Sequence, residues 1–200
     1  FAVRSLFLAL CILLLAACSG TELAKKETVG TGVSRSVSNV LVIVVADKDA
    51  TRRSFENRFA ARLEAEGIDA VSSAAAIAMP PDLKLEKSAI LEAVNRYGND
   101  AVLVTHLKSK EYKESYTRGT GSLGYYGYYG SIWGYSRAPG YYQEHTTVRL
   151  ATNLYDVETE NLLWSGETKT WNKNSVAEVL DDVVRVVVKD MKKSGLLAPE

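Results

Sequence analysis

The first half of the folded region alternates between continuous apolar runs and segments with helical spacing. Residues 39–46, NVLVIVVA, are apolar and rich in β-branched side chains, which is typical of a strand buried on both faces. Residues 47–67 space their large apolar side chains at helical intervals and end at a glycine, which predicts a helix. A strand at 68–72, a helix at 85–98 and a strand at 101–107 follow. This order predicts βαβ crossovers and parallel pairing.

The second half has strand patterns followed by one amphipathic helix. Residues 108–118 are polar and alternating, as in a strand with one solvent-exposed face. Residues 143–157 and 161–171 are strand patterns joined by a short turn, which predicts a hairpin. Ser175 begins a capping-box pattern, and an apolar stripe continues from there to Met191, which predicts the last helix.

These patterns together predict one α/β (α+β) domain over residues 39–197. We expect a mixed β-sheet of about five to six strands with three helices packed on it. A domain of about 160 residues is long enough to bury a substantial core.

The amino-terminal segment has the pattern of a secretory signal. Arg4 precedes an apolar run that is too short to span a bilayer comfortably. The junction Leu15-Ala16-Ala17-Cys18 resembles the lipobox of bacterial lipoproteins. The resemblance implies that residues 1–17 are a signal peptide and that Cys18 carries several acyl chains, since one chain holds a protein only marginally. The alternative is an ordinary cysteine beside a conventional cleavage site.

The residues after Cys18 give expectations for location and for a linker. Ser19, rather than Asp, follows the cysteine, which in the enterobacterial sorting rule implies the outer membrane. The domain would then lie on the periplasmic face, with the inner membrane as the alternative. Residues 18–38 are polar and lack a hydrophobic period, so they are predicted to form a flexible tether.

Composition argues against several kinds of partner and chemistry. The chain has 24 basic and 24 acidic residues, and loss of Arg4 leaves a net charge of about −1, so no electrostatic basis for nucleic-acid binding exists. Cys11 lies in the signal segment and Cys18 would be acylated, so the mature domain would have no disulfide and no cysteine-ligated metal. No phosphate-loop or nucleophile-elbow motif occurs. We expect no cofactor, no metal and no enzymatic activity.

Two histidines and two aspartates are the candidate chemical groups. His106 and His145 fall in strand patterns without the spacing of helical zinc motifs, so a structural role is favoured over a metal or catalytic role. Asp47 and Asp49 lie between the first strand and the first helix, where α/β proteins often bind ligands. A cation or hydroxyl-bearing ligand would fit there, but carboxylates complementing the helix dipole are the favoured interpretation.

Residues 119–142 form an insert rich in glycine and tyrosine. Seven of the 14 glycines and seven of the 11 tyrosines fall within it. Three interpretations stay open: docking on a protein or glycan, contact with lipid headgroups, or a mobile low-complexity insert. The candidate partner-binding residues are Tyr125, Tyr126, Tyr128, Tyr129, Trp133, Tyr135, Tyr141 and Tyr142.

The order of elements resembles a set of bacterial envelope domains. The resemblance rests on the strand at 39–46, the helix that ends at Gly67 before the strand IDAVS, the strand start at 100–104 and the hairpin at 154–165. The similar families are the amino-terminal domains of TolB proteins, the outer-membrane activator lipoproteins of penicillin-binding proteins, and the periplasmic domains of curli secretion lipoproteins. Their members bind proteins or form assemblies without catalysis, and the resemblance covers about residues 39–193.

Two classes of function follow from these observations. The first is a non-catalytic, lipid-anchored periplasmic protein that binds or helps to assemble an envelope component, with a protein or glycan as partner. A more specific form is an accessory lipoprotein of an outer-membrane secretion or peptidoglycan-synthesis machine. The second class is a small-ligand receptor or enzyme that uses the crevice at Asp47 and Asp49.

Overall fold

The computed structural model describes residues 20–28, 36–117 and 141–197, with the backbone alone at 112–117 and 141–145. Within these residues the chain forms a six-stranded mixed sheet with four helices, which confirms the predicted fold class. The strands are β1 (Gly20–Thr28), β2 (Asn39–Val45), β3 (Asp69–Ser72), β4 (Ala101–Thr117), β5 (Tyr141–Asp156) and β6 (Leu162–Trp171). The helices are α1 (Asp49–Glu64), α2 (Ser73–Ala76), α3 (Lys87–Tyr97) and α4 (Val176–Lys193). The strand order is β1-β6-β5-β4-β2-β3.

The parallel part of the sheet follows the predicted βαβ order. β2 pairs in parallel with β3 on one side and with β4 on the other. Val40, Leu41 and Val42 are fully buried because helices cover both faces of this strand. The predictions of a strand buried on both faces and of parallel pairing are therefore confirmed.

The antiparallel part contains the predicted hairpin. β4 pairs with β5, and β5 pairs with β6, both antiparallel. At the turn between β5 and β6, the Asp156 carboxylate accepts hydrogen bonds from the Thr159 amide and hydroxyl, both at 2.7 Å. This side-chain bond to a nearby backbone amide is the usual way in which aspartate stabilises a turn.

Strand β1 corrects the prediction of a flexible tether. β1 pairs antiparallel with β6 along its length, from Gly20 opposite Trp171 to Thr28 opposite Trp164. Its sequence lacks a hydrophobic period because β1 is the outermost strand, with Leu23 packed against the core and most of its other side chains exposed. Backbone hydrogen bonds hold such an edge strand while its polar side chains face solvent. The tether prediction is wrong for residues 20–28.

The helices divide unequally between the two faces of the sheet. α1 and α4 cover one face, where the larger cluster of buried side chains includes Trp164, Phe55 and Phe59. α3 and α2 cover the other face, where a small cluster surrounds Leu41 and Ile43. α2 is the one helix that the sequence did not predict, since four residues are too few to show a helical period.

α4 begins and packs as its capping box and apolar stripe predicted. The Glu178 amide donates a hydrogen bond of 3.2 Å to the Ser175 hydroxyl, so the first turn is capped. Near its end, Asp190 accepts a hydrogen bond of 3.1 Å from the Trp164 indole N–H. Gly166 allows this ring to lie flat against the sheet, because a Cβ at that position would come within 2.2 Å of the Trp164 ring.

Candidate functional site

Several elements begin or end at one end of the sheet, which we call the carboxyl end. β2 and β6 end there, and Gly20 of β1 pairs with the last residue of β6. α1 and α4 both begin there, at Asp49 and Val176. β2 lies between β3 and β4 in the sheet. The connection from β2 to β3 contains α1, and the connection from β3 to β4 contains α3. These two helices lie on opposite faces of the sheet. Open α/β sheets bind ligands at such a topological switch point.

A mostly apolar groove of about 1040 Å³ opens at the carboxyl end, beside the last residues of β2. Three of its apolar side chains are largely exposed: Val45 at 60%, Leu107 at 49% and Val176 at 61%. Large apolar side chains exposed together mark an interaction surface. The charged residues and the histidine of the lining are Asp47, Lys48, Asp82, Lys84, Lys110 and His106.

The two candidate aspartates have different environments. Asp47 lines the groove. Asp49 lies in the first turn of α1, where its carboxylate accepts hydrogen bonds from Arg53 at 2.5 Å and from Arg52 at 2.7 and 3.0 Å. The hydrogen bonds from Arg53 and then Arg52 lower the pKa of Asp49. Asp47 is therefore the candidate aspartate that lines the groove, whereas Asp49 is held by the two arginines.

A buried ion pair lies at the end of β2. The Arg52 Nη1 atom is 3.1 Å from both carboxylate oxygens of Glu56, and both side chains are buried. Glu56 also accepts hydrogen bonds from the amides of Val44 at 3.0 Å and Ala74 at 2.7 Å, and from the Ser73 hydroxyl at 2.7 Å. With these partners, Glu56 fastens α1 to β2 and α2. This arrangement satisfies a buried charge and is structural in character.

β4 and β5 continue together beyond the rest of the sheet. β2 pairs with β4 as far as Val45, and β6 pairs with β5 as far as Trp171. Residues 112–117 of β4 and 141–146 of β5 pair with each other beyond both points, and we call these residues the arm. At about 3.3 Å per residue, the arm extends about 20 Å past the level of Gly20.

The structure places two of the eight candidate partner-binding residues. Tyr141 and Tyr142 are the first residues of β5 and pair with Thr117 and Tyr116 of β4. The predicted insert, 119–142, therefore overlaps a strand by two residues, because backbone pairing with β4 extends further than the glycine content suggested. The other candidate residues lie outside the described residues: Cys18, Tyr125, Tyr126, Tyr128, Tyr129, Trp133 and Tyr135.

A cluster of ion pairs lies on the face of the sheet opposite α4. Glu167 of β6 accepts hydrogen bonds from Lys108 at 2.6 Å and from Arg149 at 3.3 Å. The bond from Lys108 and the weaker one from Arg149 lower the pKa of the Glu167 carboxyl, although burial opposes the change. Strand alternation puts Glu167 on the face away from Trp164, so charges occupy the part of this face that β4, β5 and β6 form.

The histidines form no cluster with other metal-ligating groups in the described part of the chain. His106 is exposed at the groove, and the side chain of His145 lies outside the description. Among the described residues, no group of three or more histidine, cysteine, aspartate or glutamate side chains is arranged to hold a metal ion. None of the described helices has the length and apolar character needed to cross a bilayer.

Comparison with known proteins gives distant likenesses of structure. No protein-family model matches the sequence, and no curated protein matches it. The PelC L103M dodecamer from Paraburkholderia phytofirmans is 17% identical over 85% of this chain and 96% of that chain, with a TM-score of 0.46. Lipoprotein GNA1162 from Neisseria meningitidis is 18% identical over 78% of this chain and 99% of that chain, with a TM-score of 0.41. Likenesses at this level carry no conclusion about function.

Sequence reasoning missed the buried ion pair and the length of the arm. A signal for the pair was present, because Arg52 and Glu56 have i,i+4 spacing beside the apolar positions Phe55 and Phe59. The alternating polar residues 108–118 indicated a strand. The sequence did not show that β2 would end opposite His106, just before these residues.

Proposed function

We propose that this chain is a non-catalytic lipoprotein of the bacterial envelope that binds or helps to assemble an envelope component through the carboxyl end of its sheet. One observation carries the proposal: Gly20 pairs with Trp171, so β1 starts at the end where the groove opens and beyond which the arm extends. Cys18 precedes Gly20 by two positions, and an acyl group on Cys18 would hold this end within about 7 Å of the lipid.

The groove supports binding over catalysis. Its lining is mostly apolar, and its exposed side chains Val45, Leu107 and Val176 offer contact area to a protein or glycan. Asp49 and Glu56, two carboxylates of α1 beside the end of β2, are engaged by arginines and amides. They are therefore occupied in holding the fold and are poor candidates for proton transfer.

The composition of the Gly/Tyr-rich segment supports a contact role. Residues 118–140 connect the two strands of the arm, and tyrosine and tryptophan are common anchors of protein interfaces. In its more specific form, the proposal is an accessory lipoprotein of an outer-membrane secretion or peptidoglycan-synthesis machine. Ser19 after the acylated cysteine favours the outer membrane.

The lipid anchor is tested by Cys18→Ala in the full chain. We expect the variant to leave the membrane fraction and to be recovered from the soluble periplasmic fraction. Continued fractionation with membranes would contradict the anchor.

The binding surface is tested by photocrosslinking in cells. A photoreactive residue at Leu107, in the groove, should capture an envelope component. Leu91 on α3 is the matched control, because it is also a leucine, with 45% exposure against 49%, and lies outside the groove. Equal capture from both positions, or none from Leu107, would rule out this surface as the contact.

A small-ligand site in the groove is the second candidate function. It is favoured by Asp47, which lines the groove at the switch point of the sheet. Asp47→Ala should abolish function if a ligand binds through this carboxylate, whereas binding of a large partner through apolar contacts should survive. Asp49→Ala is the control, because its carboxylate is engaged by Arg52 and Arg53.

A further inference from the structure

The groove at the carboxyl end has a buried apolar floor and an exposed charged rim. Val44, Phe55 and Leu180 line it and are buried, whereas the charged residues of its lining are all exposed. Concave sites with apolar walls and a few polar groups are the usual form of a small-molecule site, at about 300–1,000 Å³. The groove, at about 1040 Å³, is at the upper end of this range. It therefore suits a ligand with a long apolar part and a charged part.

Leu83 lines the groove in an unusual backbone conformation. Its φ is 59°, in the left-handed region that favours glycine. The Leu83 amide closes the turn by donating a hydrogen bond of 3.0 Å to the Pro80 carbonyl. A glycine would adopt this turn without strain but would give the groove no apolar side chain. Residues held in such conformations cluster at ligand-binding sites, so Leu83 indicates a bound ligand independently of the composition of the groove.

The charges of the rim restrict the head group of that ligand. The side chains of Asp47, Lys48 and Lys84 form no ion pair or hydrogen bond with other residues that the structure describes. A ligand that covers the rim removes water from charges of both signs, and a charge that loses water without gaining a partner is destabilising. A phosphate group would satisfy the two lysines, and an ammonium group would satisfy Asp47. A ligand with only one of these groups would leave the opposite charge without a partner.

A membrane would provide such ligands at this end of the molecule. Gly20 lies at the same end of the sheet as the groove, and Cys18 precedes it by two positions. Thr21 lies in one cross-strand row with Val148 of the groove, with Thr170 between them, so the groove begins about 10 Å from β1. An acylated Cys18 would therefore hold the groove beside a bilayer, where acyl chains and charged head groups are concentrated.

We propose that the groove binds a membrane lipid with a zwitterionic head group. The acyl chain lies against the buried floor, in contact with Phe55 and Leu180. Lys48 and Lys84 contact the phosphate of the head group, and Asp47 contacts its ammonium group. The acyl chain also covers the exposed apolar side chains of the groove and removes them from water. This inference rests on the proposed function, of which it names the envelope component.

The mass of the captured molecule tests this inference. In cells that produce the full chain, a photoreactive residue at Leu107 should give an adduct whose added mass, measured on the intact protein, is that of a lipid with phosphate and ammonium groups. Leu91 is the matched control and should give no such adduct. A protein adduct at Leu107 would overturn the lipid assignment but support the proposed function, whereas absence of any adduct would overturn both. A crosslink to acyl chains on Cys18, which adds no lipid mass, would also overturn the assignment.

Two short-chain lipids test the head group. The full chain with Cys18→Ala is titrated calorimetrically with monomeric dihexanoylphosphatidylethanolamine and with dihexanoylphosphatidylglycerol, which lacks the ammonium group. We expect the first to bind about tenfold more tightly, because it alone provides a partner for Asp47. Adding Asp47→Ala should remove this preference. Equal affinities before that substitution, or binding of neither lipid, would overturn the proposal.

A pair of lysine variants tests the phosphate contact. Lys48→Ala with Lys84→Ala should weaken the binding of both lipids about tenfold, because both lipids carry a phosphate. Lys189→Ala with Lys193→Ala is the matched control, since these lysines of α4 are also exposed but lie outside the groove. Equal weakening by the two double variants would indicate a general attraction of basic residues for phosphate and would contradict the assigned contact. Thermal unfolding of each variant verifies that it is folded.

Discussion

The two faces of the sheet are stabilised by different interactions. On the face covered by α1 and α4, one continuous core contains Trp164 and the stacked rings of Phe55 and Phe59. On the other face, α3 covers a small cluster around Leu41, and the charged cluster of Glu167 occupies the part formed by β4, β5 and β6. One face depends on apolar burial, while the other combines a little burial with ion pairs.

Because of this difference, the residues that stabilise the fold and the residues of the candidate interaction surface lie in different parts of the molecule. Apolar burial contributes about 25 cal/mol per Å², whereas exposed ion pairs contribute about 0–1 kcal/mol each. The face of α1 and α4 therefore holds the fold. The carboxyl end, where the groove opens, can expose Val45 and Leu107 without loss of the main core.

The largest loss of stability is expected at the buried pair of Arg52 and Glu56, which links α1 on one face to β2 and to α2 on the other face. Glu56→Ala would leave the Arg52 charge buried without its partner, and we expect a loss of about 3–5 kcal/mol in the free energy of unfolding. Urea denaturation measures this loss. Asp49→Ala is the control, since it removes the exposed carboxylate bound to the same arginine and should cost much less. Equal losses would show that burial of Glu56 does not matter.

A matched pair of valines sharpens the comparison of the two faces. Val187 of α4 and Val94 of α3 are 0% and 5% exposed, and both lie in helices, so the gain in helix propensity on changing to alanine is the same. We expect Val187→Ala to cost about 2 kcal/mol and Val94→Ala about 1 kcal/mol, because the larger core leaves a less collapsible cavity. Thermal and urea unfolding measure both. A larger loss for Val94→Ala would reverse the assignment of the main core.

The smallest change in stability is expected on removing the ion pairs of Glu167, and this change depends on pH. Lys108 and Arg149 lower the pKa of Glu167 below its ordinary value of 4.5, so the unfolded chain binds this proton more tightly than the folded chain. The resulting stabilisation is complete above the ordinary value and is lost as pH falls through the lowered pKa. Glu167→Gln should therefore lose less stability than the unsubstituted protein on acidification, as measured by urea midpoints at several pH values.

An exposed glutamate on α1 provides the control for this pH dependence. Glu64→Gln should leave the acid limb of the stability curve unchanged. If Glu167→Gln and Glu64→Gln give the same curve, the charged cluster contributes nothing to the stability of its face.

Much of the fold could be predicted because its signals are local. The apolar run of β2, the stripe of α4 and its cap at Ser175 reflect burial and hydrogen bonding within single elements. β1 could not be predicted in this way. Its polar residues are stabilised by backbone pairing with β6, a strand more than a hundred residues further along the chain.

The candidate site could be predicted only in part. The position of Asp47 after a buried strand indicated the end of the sheet at which ligands bind. The sequence also indicated that Asp49 would lie at the amino terminus of a helix, where the structure places it. The groove could not be predicted, because Val45, Leu107 and Val176 come together only when three separate elements meet at one end of the sheet.

The sequence by itself determined most of the helices and strands, the lipobox-like junction at Cys18 and the polar strand pattern of residues 108–118, because each depends on residues close together in the chain. The tertiary structure decided which strand stands at the edge, where β2 stops beside β4, and that Gly20 lies at the same end as the groove. These features depend on pairing between distant segments, whose geometry is fixed only when the whole core packs. The β4 strand depends on both: the sequence gives its polar residues, and the fold decides that its pairing with β2 ends at His106.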